Sequence, residues 1–172
     1  FRFFSLDVQG PGRAFVRAVR EARGEYLISL DADLSGELCF IDYSLDLLRH
    51  TDMLVGSKSM GKQQRSFVRV VASQVYILFT QLLFGLTISD YSIGAKAFRR
   101  SSILDQLDGL DPWTGYILEL VLRLERNGKR VLQVGINCSD SRQSRFNLLH
   151  EGLYRYRHLF QSWRRLRKRG EC

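Results

Sequence analysis

Two aspartates one residue apart, Asp31 and Asp33, close the stretch Tyr26-Leu27-Ile28-Ser29-Leu30-Asp31-Ala32-Asp33. Carboxylates this close repel each other unless a cation or a proton separates them. A hard divalent cation does so, and Mg2+ or Mn2+ commonly joins a few carboxylates to substrate phosphates. The apolar run ahead of the pair reads as a buried strand, which puts both acids at its C-terminal end, where α/β sheets bind ligands. In the alternative, one aspartate caps the following helix and the other is solvated, and the doublet alone does not separate these readings.

An Asp-x-Asp after an apolar strand also occurs in haloacid-dehalogenase-like phosphatases, with the first Asp as covalent nucleophile. Those enzymes follow it with Gly-Thr and later supply a paired Asp-Asp. Here Leu34-Ser35 follows and no such pair comes later, so this reading is set aside.

The elements that position the doublet are legible from periodicity. Residues 1–8 have the apolar, aromatic pattern of a strand, broken by Gln9-Gly10-Pro11-Gly12. Residues 13–23 repeat apolar positions at helical spacing and stop at Gly24. Residues 26–30 form the strand before the doublet, 37–50 a helix and 53–56 a strand, and 57–65 a polar loop. A long helix is expected over 68–84, a turn over 88–91, a strand over 94–98, a helix over 117–126 and a β-branched strand over 131–137. Strands alternating with helices define an α/β sandwich. Residues 70–88 carry no charge and are long enough to cross a bilayer. Ser73, Gln74, Thr80, Gln81 and Gly85 interrupt them, and Ile88 meets Ser89-Asp90 without a basic anchor, so a buried or interfacial helix is expected.

Composition bounds the class. The 172 residues are 45% hydrophobic, enough for one globular domain with its own core. Cys39, Cys138 and Cys172 lack Cys-x-x-Cys spacing, which argues against a zinc site or a disulfide framework and for a reducing, intracellular setting. Lys and Arg exceed Asp and Glu by 26 to 18, a net charge of +8. Much of that excess lies in 153–169, where arginines alternate with Tyr154, Tyr156, Leu159, Phe160, Trp163 and Leu166. This pattern suits an amphipathic helix at an anionic membrane surface. A nucleic-acid arm and a solvated tail are the competing readings, and no recognised nucleic-acid fold accompanies the segment.

Four segments occur in a telling order: Gly10-Pro11-Gly12-Arg13-Ala14, then Ala22-Arg23-Gly24-Glu25-Tyr26-Leu27-Ile28 before the doublet, then Gly56-Ser57-Lys58, then Asp90-Tyr91-Ser92-Ile93-Gly94-Ala95-Lys96-Ala97-Phe98. Together they resemble the family 2 glycosyltransferases, particularly those that transfer sugars to or from polyprenyl phosphates, such as dolichyl-phosphate mannose synthases. The likeness covers most of residues 10–150. It implies a GT-A sandwich, with a catalytic domain over 1–150 and a basic amphipathic tail over 151–172.

The resemblance also implies roles. Asp31 and Asp33 hold Mg2+ or Mn2+ and, with Gly12 and Arg13, border the nucleotide-sugar donor. Arg69 and Ser73 resemble an Arg-x-x-x-Ser that holds an acceptor phosphate, and Lys58 adds a cation; for Lys58 and Arg69 the other reading is a solvated face. Asp90 borders the reacting sugar, as base or as orienting group, or else is a turn acid before Ser92 and Gly94. Trp113-Thr114-Gly115-Tyr116 with Glu119 resembles Gly-Tyr-x-x-x-Glu-Leu, or is packing and capping. Arg142, Ser144 and Arg145 resemble a phosphate-contacting loop, here shorter, without its Gly and with Arg for Lys. Lys58 in place of Arg and Ser35 in place of Gln leave the acceptor open.

Phe1 stands in place of an initiator Met, and the family's upstream Pro-x-Tyr-Asn-Glu-like and Asp-Asp-Gly-Ser segments are not seen. The expectation is therefore a fold incomplete at its N-terminus, with poor or no turnover by these residues alone. The expected partners are a nucleotide sugar, a polyprenyl-phosphate or other acceptor and the cytoplasmic membrane face, with no nucleic acid. The runner-up is a non-catalytic docking module of the same fold.

Overall fold

The computed structural model describes residues 2–32, 38–58, 60–61, 67–91, 93–137 and 148–168, apart from the side chains at 67–69, 148–151, 166 and 168. Within them lie α1 (Pro11–Glu21), β1 (Tyr26–Ser29), α2 (Phe40–Leu47), β2 (Met53–Ser57), α3 (Phe67–Phe84), β3 (Lys96–Arg99), the short α4 (Arg100–Ile103), α5 (Tyr116–Arg126), β4 (Val131–Gly135) and α6 (Leu148–Lys168).

The described strands form one sheet in the order β1-β3-β2-β4. β3 runs antiparallel to both β1 and β2, and β4 runs parallel to β2. The exits of β1, β2 and β4 and the entry of β3 therefore share one end of the sheet. Asp31 follows β1, Lys58 follows β2 and Asp90 to Gly94 precede β3, so the topology gathers them at that end.

Side-chain alternation splits the core into two layers. Met53 and Val55 of β2 and Phe98 of β3 join Phe15 and Val19 of α1, the apolar residues of α5 and Leu159 of α6. Leu54 and Ala97 point the other way, onto Phe40 of α2 and Leu48 just after it. α1 begins with Pro11 in its first turn and buries Gly12, Phe15 and Val19, one face at helical spacing.

Two expectations are corrected. Residues 2–8 form no strand. They lie along α1 instead, where Arg2 pairs with Glu21 at 2.9 Å and the guanidinium groups of Arg2 and Arg17 sit over the Phe4 ring. These cation–π and ionic contacts replace a sheet partner. The helix anticipated over 37–50 is shorter, Phe40–Leu47. The basic tail forms the helix α6; on one side of it Leu159 is fully buried and Tyr156 meets Tyr76 and Phe79 of α3 at ring distances of 5.7 and 5.9 Å. No helix among the described residues is long and apolar enough to cross a membrane.

Candidate active site

Asp31 leaves β1 and lies against the turn that enters β3. Its Oδ2 accepts the Gly94 amide at 2.9 Å. A Cβ at Gly94 would fall 2.3 Å from Asp31 Oδ1 and 2.7 Å from the Asp31 backbone nitrogen, so only glycine permits this approach. We expect Gly94→Ala to displace the carboxylate and, in the metal-holding role proposed below for Asp31, to weaken Mn2+ binding about 10- to 100-fold, the usual cost of disturbing the surroundings of a metal ligand. Calorimetric titration of Mn2+ in the presence of a nucleoside diphosphate reads the change.

Asp90 is buried. One oxygen accepts the Lys58 amide at 3.2 Å and the other the Ile93 amide at 3.3 Å. It thereby ties the exit of β2 to the entry of β3. The lower part of the same end is closed by Gln133 of β4, which donates to Ser89 Oγ at 2.6 Å, while Ser89 Oγ and Ser57 Oγ are 3.2 Å apart.

Lys96, unassigned from the sequence, is the first residue of β3 and is 3% exposed. Its ammonium donates to the Ile93 carbonyl. Burial pushes it down to about 8, against the opposing pull of Asp90 and Asp31, while Lys58 and Arg155 add repulsion. The charges of Asp90, Asp31, Lys58 and Arg155 are thus all felt at the Lys96 ammonium. The available signal was a lysine among the apolar residues of 93–98, two residues before Phe98 and so on the same face. Arg155 gave no signal beyond its place in a basic tail.

Tyr116 opens α5. Burial pushes its hydroxyl up to about 12, with the charge of Asp31 adding to the rise, so it remains a proton donor. Tyr116 and Phe98 both pack tilted against the Phe15 ring, at ring distances of 4.9 and 5.2 Å, which couples α1, α5 and β3. Gly12 and Arg13 have contacts of another kind. A Cβ at Gly12 would fall 2.1 Å from the Asp111 carbonyl oxygen; the Arg13 amide donates to Pro112, and its guanidinium to the Gln9 carbonyl at 2.9 Å. No described hydrogen bond joins either residue to Asp31.

Glu119 belongs to a buried cluster. Its Oε1 lies 3.0 Å from His158 Nε2, and its Oε2 accepts the Asp111 amide at 2.9 Å. Asp111 accepts the Trp113 and Gly115 amides and the Tyr154 hydroxyl, which fixes the entry of α5 to α6. Burial opposes ionisation of Glu119, but His158, the Asp111 amide and Arg123 outweigh it and hold the carboxyl below its ordinary value.

Of the other expected site residues, Ser73 is half-buried on α3, and Arg69 is placed on the same helix by its backbone, its side chain outside the described residues. Asp33, Arg142, Ser144 and Arg145 also lie outside the described residues. No three acidic, histidine or cysteine side chains converge into a metal site among the described residues. A cation shared with a diphosphate requires only one or two protein carboxylates. Asp31 fits that demand, because Oδ2 is engaged by one amide and Oδ1 accepts no hydrogen bond among the described residues.

The fold is that of the GT-A glycosyltransferases. Glucosyl-3-phosphoglycerate synthase from Mycobacterium tuberculosis, solved with UDP, superposes with a TM-score of 0.64 at 15% identity, over 92% of this chain and 57% of that one. The same enzyme with Mn2+, UDP and phosphoglyceric acid gives 0.62 at 14% identity, over 92% and 55%. In sequence, the chain is similar to glycosyltransferase AglD of Haloferax volcanii, 25% identical over 94% of this chain and 27% of that protein. It is also similar to the undecaprenyl-phosphate mannosyltransferase of Micrococcus luteus, 27% identical over 74% and 56%. The chain spans about a quarter and about half of these two relatives. No family model matches it.

Proposed function

We propose that this protein transfers a sugar from a nucleotide-sugar donor to a polyprenyl phosphate at the cytoplasmic face of a membrane, with Mg2+ or Mn2+ as cofactor. The observation that carries the reading is the convergence of Asp31, Lys58, Asp90 and Lys96 at one end of a GT-A sheet. The lipid-phosphate acceptor is supported by the undecaprenyl-phosphate mannosyltransferase among the relatives.

In this reading Asp31, with Asp33, holds the cation, which when bound neutralises charge on the departing diphosphate. Gly94 keeps the Asp31 carboxylate in place. Asp90, with both oxygens on backbone amides, acts as a positioning residue rather than a base, and a phosphate acceptor is already ionised and needs no strong base. Lys96 and Lys58 lower the cost of assembling several phosphates beside two carboxylates. Arg69, Ser73, Arg142, Ser144 and Arg145 take the acceptor phosphate, with Arg155 as a further cation on that side. Gly12 and Arg13 border the donor by supporting the turn at 111–113.

The test incubates the protein at full length with a panel of uridine and guanosine diphospho-sugars, a short-chain polyprenyl phosphate and Mn2+, and follows glycosyl phospholipid by mass spectrometry. Transfer from one donor, abolished by EDTA and restored by Mn2+, is the expected result. Absence of transfer from every donor sinks the reading.

A further inference from the structure

α3 carries an apolar face that the fold leaves uncovered among the described residues. One side of the helix is used: Ile77 and Thr80 are buried, and Tyr76 meets Tyr91 and Tyr156 edge-on. The other side exposes Val71, Val75, Leu78 and Leu82, the last 72% exposed. Steps of four, three and four residues put these on a single stripe.

α6 continues the surface. Phe79 borders the α3 stripe and packs against Phe160 at 6.2 Å, and Phe160 is itself 42% exposed. Leu153, Arg157, Phe160, Arg164 and Arg167 follow helical spacing on the outward side of α6, opposite the buried His158, Leu159 and Ser162. The two helices thus present adjoining outward faces, one aliphatic, the other mixing two apolar residues with three exposed arginines. α3 contains no acidic residue, and α6 contains none after Glu151.

We infer that the outward faces of α3 and α6 dock together on an anionic lipid bilayer, with the α3 stripe at the acyl boundary and the α6 arginines at the headgroups. An apolar stripe beside arginines without acids complements such a surface in both hydrophobicity and charge. It is the α3 stripe that enters the interface, while Tyr156 and Leu159 of α6 stay packed on the protein. α3 links this face to the candidate site along the chain, leading through Gly85 to Asp90. This deepens the proposed transfer to a lipid phosphate and rests on it for the side from which the acceptor arrives.

Vesicle co-sedimentation tests the inference, using phosphatidylcholine with and without phosphatidylglycerol. The protein binds the anionic vesicles. Leu78→Glu with Leu82→Glu reduces partitioning at least about tenfold, and Arg157→Glu with Arg164→Glu reduces the preference for anionic lipid by about fivefold or more per arginine. The control Leu132→Glu, an exposed apolar residue of β4, leaves binding unchanged. Undiminished binding by the Leu78/Leu82 variant overturns the proposal. So does a lipid-free dimer that the same variant dissolves, because the face would then belong to a second copy. Should melting show that this variant is unfolded, the arginine pair decides alone: unchanged anionic preference overturns the proposal.

Transfer to a short-chain, water-dispersed polyprenyl phosphate separates the two readings. Vesicle binding without transfer by the unmodified protein removes the enzymatic reading and leaves the docking face. Transfer without vesicle binding does the reverse.

Discussion

In the proposed transferase at full length, Asp31→Asn is expected to lower sugar transfer on the order of 10³-fold, the scale on which a single group stabilising transition-state charge acts. Asparagine keeps the size of the side chain and can still accept the Gly94 amide, so the fold and the turn into β3 persist. What goes is the negative charge that, in the role proposed for Asp31, attracts a divalent cation. Mn2+ binding in the presence of a nucleoside diphosphate, read by calorimetry, falls with activity, whereas the melting temperature changes little. Asp33→Asn is expected to add to the loss. Full activity in the double variant removes the metal-holding role from this pair.

His158→Leu produces the largest change in stability. His158 is buried, and its Nε2 lies 3.0 Å from Glu119 and 3.7 Å from Asp111, so the substitution leaves two buried carboxylates short of a partner. Breaking such a pair costs roughly 3 kcal/mol, the lower end of the usual range, because Glu119 keeps the Asp111 amide and Arg123. In a chain of this size that corresponds to a melting temperature lower by about 6–12 °C. The pH dependence has a definite sign. Glu119 is held below the ordinary glutamate value of 4.5, so its stabilisation is present above that pH and is lost as pH falls through the folded-state value. Removing His158 weakens one cause of that depression, and acid unfolding followed by circular dichroism shifts to higher pH. An unmoved acid transition shows that the cluster contributes packing alone.

Much of the fold was legible because periodicity and burial agree. The strand before Asp31, the fully buried Met53–Ser57 and the helix Tyr116–Arg126 all carry patterns that admit one reading. Residues 2–8 carried a strand-like pattern too, yet alternation specifies a face and not a partner, and the segment found α1 instead. The reversal of β3 could not be read, because antiparallel and parallel strands in a two-layer core bury the same side chains. That reversal is what joins Asp90 and Lys58, distant in sequence, through one hydrogen bond.

The candidate site divides in the same way. Asp31 announced itself by its like-charged neighbour, and Asp90 by the segment it opens. Lys96 was hidden inside that segment, since a lone lysine in a strand reads as an edge charge until the flanking strands bury it on both sides. Glu119 stood in a recognisable pattern, but its partner His158 lies 39 residues away on α6, and no local rule connects them.

The topology also separates where the molecule tolerates change from where it does not. The candidate-site residues Asp31, Lys58, Asp90 and Lys96 gather where β1, β2 and β4 end, which leaves the turn between α5 and β4 at the far end of the sheet. Gly128 there has a φ of +67° and an added Cβ would touch nothing, while the next residues, Lys129 and Arg130, are already committed to Asp52. Between Asn127 and Gly128, then, is the natural point to splice in a fluorophore-bearing peptide or an affinity tag, giving a handle for immobilising the protein with its working end facing away from the support.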